Sequence, residues 1–135
     1  MTDIYSLSYA EVRADTRVAE FKRLLRIVLA VETLFALALL ILPTWISGLA
    51  GLPGGVLSAV WGAFLLWTVI FQVPGLMNPV HSRLPIVIGV LGRYGIGIAY
   101  LCLSMWLCAI VTLAFALALN VVYHRMVRRV IMSRP

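Results

Sequence analysis

The sequence predicts an all-α integral membrane protein: a four-helix bundle with both termini on one side and a short amphipathic segment before the first span. Three observations carry this. Of the 135 residues 63% are hydrophobic and only 12% are charged, against about a quarter charged in an ordinary soluble domain. The mean hydropathy is +1.04, and lipid tolerates such a surface where water does not. Long apolar runs of the length a bilayer requires follow one another along the chain. All the basic residues but Arg93 collect at the ends of those runs rather than within them.

The chain divides into an N-terminal cytoplasmic or interfacial segment (1–23), a membrane unit (24–123) and a basic cytoplasmic tail (124–135). In the first segment Ser8-Tyr9-Ala10-Glu11 has the spacing of a capping box, which predicts a helix start there. Val18, Phe21 and Leu25 then recur at helical spacing between charged residues, as in a helix lying in the membrane interface. A partner-binding arm is equally compatible. The first span is expected at 24–42, ending at Pro43. Its basic flank resembles a signal peptide, but it is longer than an h-region and contains Glu32, so it is read as a retained helix.

Thr44 to Gly55, with Pro53 and no charge, is expected as a loop. The second span is placed at 56–73, stopped by Pro74-Gly75, and a polar turn follows at Asn78-Pro79, His81 and Arg83. From Ile86 to Tyr123 about 38 residues are almost unbroken hydrophobe. A span takes about 20, so two helices are expected, at 85–103 and 106–123, with a tight turn around Ser104 and Trp106.

Charge fixes the expected orientation. Ten of the eleven Lys and Arg residues lie before or in the first turn of the first span, between the second and third, or after the fourth. The positive-inside rule puts that side in the cytoplasm. With no separate targeting presequence read, a bacterial plasma (inner) membrane is the expected location. The same distribution argues against nucleic acid, because the basic residues flank apolar runs instead of lining a polar face. Anionic lipid headgroups are the expected partners of these flanks. Cys102 and Cys108 form no CxxC pair, and no His lies at metal-ligand spacing from them.

Two ionised side chains fall inside spans: Glu32 in the first and Arg93 in the third. Each lies about 11 residues from the outer end of its helix, a depth of about 16 Å at about 1.5 Å per residue. The two spans run in the same direction, so a lateral ion pair is within reach. A charge in hydrocarbon faces the bundle and pairs, unless Arg93 snorkels to the interface. Ser58, Gly62, Leu65, Val69 and Gln72 share one face of the second span. Gly89, Arg93, Ile96 and Tyr100 share one of the third, and Thr112, Ala116, Asn120 and Tyr123 one of the fourth. The expected intramembrane polar cluster is therefore Glu32, Arg93, Tyr100 and Asn120. It serves as a ligand site or as a structural ion pair fixing helix register. No catalytic residue, metal site or cofactor is assigned. A quinone or lipid is the ligand class considered for this cluster. His81 and His124 read as solvated interfacial residues.

Leu24-Leu25-Arg26 with its apolar run to Pro43, the turn Asn78-Pro79-Val80-His81-Ser82-Arg83, and Gly92-Arg93-Tyr94 resemble the DoxX-like group of small bacterial four-helix membrane proteins. The resemblance covers about residues 22–125 and is one of layout. It implies an inner-membrane bundle serving as accessory to redox or other membrane complexes, and it transfers no functional residue. Val31-Glu32-Thr33 and Gly97-Ile98-Ala99-Tyr100 are also similar to small multidrug-resistance transporters. That likeness implies a titrating carboxylate in the first span, which Arg93 would neutralise here. The leading functional expectation is a non-enzymatic accessory or assembly subunit of a larger inner-membrane complex, in contact with other membrane subunits or copies of itself. The alternative is a small transporter or a lipid- or quinone-binding protein using Glu32 and Arg93.

Overall fold

The structure, a computed structural model, describes residues 2–51 and 55–132, with side chains described over 11–49, 51 and 55–131. Five helices follow in order: α1 (Thr2–Ile41), α2 (Pro43–Ala50), α3 (Val56–Met77), α4 (Arg83–Cys102) and α5 (Trp106–Met132), with no strand among the described residues. Four of them, over Glu11–Ile41, Val56–Met77, Arg83–Cys102 and Trp106–Ile131, are long and apolar enough to cross a membrane. The chain is thus a multi-pass membrane protein by helix length and composition.

α1 packs against α3 and α5, and α4 against α5 and α3. The core divides by level. Phe21, Leu25, Val28 and Leu29 meet Val69, Ile86, Val90, Leu119 and Met126 at one end. Ala36, Leu39 and Leu65 form a second cluster, and Tyr100, Met105 and Ala109 a third, toward the other. The long helices therefore alternate in direction. Arg17, Arg23, Arg83, Arg125 and Arg129 gather at or beyond the first end, the basic end; α2 and the turn after α4 make up the uncharged end.

Several boundaries differ from those expected. α1 runs unbroken for 40 residues from Thr2, so no helix begins at Ser8–Glu11; the side chains of Ser8 to Ala10 lie outside the described residues. An unbroken helix cannot lie flat in the interface and then cross the bilayer. Its leading half instead packs on the end of α5: Ala14 and Phe21 are buried, and Val18 joins Val127 and Val130 around the same core. The basic tail is accordingly helical as far as Met132, and Arg134 lies outside the described residues.

The expected loop after span one holds α2, started by Pro43 at its first position, where a missing N–H costs nothing. Gly51 ends it in a left-handed conformation, donating its N–H to the Ser47 carbonyl. Pro53 lies outside the described residues. Buried Ser58 anchors α3 beneath α2, with Oγ 3.1 Å from the Pro43 carbonyl and 2.8 Å from that of Gly55. Pro74 does not stop α3, which continues to Met77. Pro74 is itself exposed, and the helical bonding carries on past it, with Asn78 N donating to its carbonyl at 3.0 Å.

The turn within the long apolar run falls at Leu103–Met105. Met105 N donates to the Tyr100 carbonyl and Ser104 N to that of Leu101, both closing the end of α4, and Ser104 sits at φ 59°. This is a Schellman termination with serine in the left-handed position that glycine usually takes.

Candidate functional site: a buried ion pair at the wall of an intramembrane cavity

Each helix presents one face inward. On α3 Ser58, Gly62, Leu65, Val69, Gln72 and Gly75 are buried; on α4 Ile86, Gly89, Val90, Arg93, Gly97 and Tyr100 are. Glycine on these faces permits close approach. At Gly62 an added Cβ would stand 2.9 Å from both the Ala36 carbonyl oxygen and Leu39 Cβ, so α3 can lie on α1 only as it does with no side chain there.

Arg93, midway along α4, is the centre of the polar cluster. Its Nε donates to Glu32 Oε1 at 2.7 Å and its Nη2 to Oε2 at 2.5 Å, the parallel two-bond geometry that suits a guanidinium to a carboxylate. Nη1 donates to Gln72 Oε1 at 2.6 Å and to the Gly89 carbonyl at 3.1 Å. Gln72 in turn donates from Nε2 to the Thr68 carbonyl at 3.1 Å. The arginine side chain is 3% exposed and that of Glu32 18%. Pairing, with a hydrogen bond on each guanidinium nitrogen, is what makes so deep a charge affordable; among the described residues no buried side-chain polar atom lacks a partner.

The cluster forms part of the wall of a cavity of about 570 Å³ lined from all four long helices. Most of the wall is apolar or aromatic, with Phe35 from α1, Phe64, Leu65 and Phe71 from α3, Ile96 from α4 and Phe115 from α5. Trp67, Gly92 and Leu107 line it while exposed on the outer surface, so the cavity opens sideways between helices. Toward the uncharged end Trp61 Nε1 donates to Tyr100 Oη at 2.7 Å, tying α3 to α4. Below it Gln72 and Arg93 tie the same two helices again.

Of the residues expected in the site, Glu32 and Arg93 meet directly, and Tyr100 lines the same cavity but bonds to Trp61 rather than to the ion pair. Asn120 does not join them. It is exposed and outside the cavity wall, because the buried stripe of α5 runs through Ala116 and Leu119. One residue further on is a rotation of about 100°, which turns Asn120 outward. Gln72 takes the role expected of it. The signal was present in the sequence, since Gln72 shares the α3 stripe with Ser58 and Leu65. Trp61 had no comparable signal. Among the described residues no cluster of His, Cys, Asp and Glu suits a metal ion. His81 is exposed and pairs locally with Asn78, 3.1 Å away.

No protein-family model, curated protein or solved structure matches the chain.

Proposed function

We propose that this protein holds a small, membrane-dissolved molecule in its cavity, with the basic end in the cytoplasm and the bilayer that of a bacterial plasma membrane. The single observation that carries the reading is a cavity of about 570 Å³ that reaches from the exposed surface of the spans to the Glu32–Arg93 pair. That volume lies within the range of about 300–1,000 Å³ typical of ligand pockets, and an apolar wall with a few convergent polar groups is their usual chemistry. A lipid or quinone-like compound has the solubility to enter from the side. The basic residues at one end supply the argument for orientation and for contact with anionic headgroups. The test is to purify the protein in mild detergent, extract it and identify bound small molecules by mass spectrometry. A defined lipophile at near-unit stoichiometry is expected, and its loss in Gly92→Trp, which fills an open part of the wall. Extracts identical to those of an unrelated membrane protein would end the proposal.

The accessory-subunit reading is favoured by a different feature. Gly92 and Gly95 lie exposed on the outer face of α4 with nothing within 4 Å of where a Cβ would stand, a surface on which another helix can pack closely. It agrees with the DoxX-like layout, and it predicts a partner subunit that co-purifies and is lost in Gly95→Leu. Proton-coupled export has less support, because the Glu32 carboxylate is already engaged by Arg93.

A further inference from the structure

We infer that the cavity selects an electrically neutral lipophile bearing a hydroxyl or similar hydrogen-bonding group, and excludes headgroups of either charge. This rests on the cavity being a ligand site. Both of its ionised side chains are spent on each other. Arg93 engages four N–H bonds, two on Glu32, one on Gln72 and one on Gly89, of the five a guanidinium has. The carboxylate balances its charge, so an anionic head entering the wall would meet no free cation. A cationic head would meet a carboxylate already paired. Either would enter a low-dielectric space without a counter-charge, which is far more costly than bringing in a neutral polar group.

What the wall does offer is neutral hydrogen bonding of both kinds. Glu32 is the more accessible partner of the pair, and a carboxylate holding one bond per oxygen keeps further lone pairs to accept from a ligand O–H. Tyr100 is 2% exposed and lines the cavity. Its hydroxyl accepts from Trp61, and as a phenol it can donate its own O–H to a ligand oxygen in the cavity. Tyr100 follows Arg93 by seven positions on α4, about 10 Å along the axis at about 1.5 Å per residue, so the two hydrogen-bonding positions sit at different levels of one apolar cavity.

The experiment uses three probes with one tail and different heads: farnesol, farnesoic acid and farnesylamine. Each is placed at equal mole fraction in nanodiscs of zwitterionic lipid containing the full chain, and bound probe is counted by native mass spectrometry. The alcohol is expected to exceed the acid and the amine in occupancy by about ten-fold or more. Tyr100→Phe lowers occupancy by the alcohol several-fold. Glu32→Gln leaves Arg93 without its counter-charge and reverses the preference toward the acid. If that variant fails to fold, the uncharged pair Glu32→Gln with Arg93→Gln must keep the preference for the alcohol. Wild-type protein that takes the acid or amine as readily as the alcohol overturns the neutrality inference while leaving a binding cavity in place. If no probe is retained and Gly92→Trp changes nothing, the cavity reading itself fails.

Discussion

A Cβ on Gly89 would stand 2.5 Å from Oε1 of Gln72, the atom that accepts from Arg93. Gly89 also lends Arg93 its carbonyl, so one residue without a side chain clears the space in which Gln72 meets the guanidinium. Gly89→Ala is expected to push Gln72 off Arg93 and to cost about 1.5–3 kcal/mol, the value of a hydrogen bond to a charged group. Thermal unfolding in detergent measures this. Gly95→Ala, which meets nothing within 4 Å, is the control and should be neutral or slightly stabilising. Equal losses from the two would remove the steric argument.

The ion pair predicts non-additivity. Arg93→Leu alone strands a carboxylate in the protein interior and is expected to cost about 3–5 kcal/mol, whereas Glu32→Leu combined with Arg93→Leu should recover most of the loss. A double-mutant cycle read by unfolding is the measurement. Costs that simply sum would mean that the two side chains do not depend on each other.

Gly62 is the contact point of α1 and α3. Because its hypothetical Cβ meets the backbone oxygen of Ala36 at 2.9 Å, relief requires the helices to part. Gly62→Val should destabilise by about 1–3 kcal/mol. A melting temperature unchanged from the parent would show that α1 and α3 are not so closely held.

Ser104 pays for its left-handed backbone at φ 59°. Glycine adopts that conformation freely, so Ser104→Gly should stabilise the α4–α5 turn by about 1 kcal/mol. A loss of stability would place the Schellman termination elsewhere.

Orientation is open to labelling. Cys102 is exposed near the uncharged end of the fold. In intact cells a membrane-impermeant maleimide should modify Cys102 from outside. A cysteine introduced by Ser82→Cys in a background with Cys102→Ser and Cys108→Ser should react only after the membrane is opened. The reverse pattern would invert the proposed topology.

Much of the fold was legible because apolar length and helical spacing survive translation into structure. The α3 stripe from Ser58 to Gln72 is buried residue for residue, and equal depth on two parallel spans brought Glu32 to Arg93. The misreadings share a cause: they relied on local signals that a neighbouring helix overrides. Pro74 reads as a stop but is carried within α3, whose flank packs on α4 through Gly75 and Ile86. The glycines and prolines of 43–55 suggested a loop, although Pro43 is also a good first residue for α2. Asn120 is expected inward from its spacing with Thr112, Ala116 and Tyr123, but the buried stripe passes from Ala116 to Leu119 and faces it away. No sequence signal marked Trp61 as the partner of Tyr100, since that bond spans 39 residues and depends on how α3 and α4 lie together.

The 40 residues of α1 form one continuous rod, and Glu32 rides on it about three-quarters of the way along. Its leading half lies along the end of α5, where the rings of Phe21 and Tyr123 stand 5.5 Å apart. No turn separates that contact from Glu32, so the register of α1 on α5 and the depth of the carboxylate are set together.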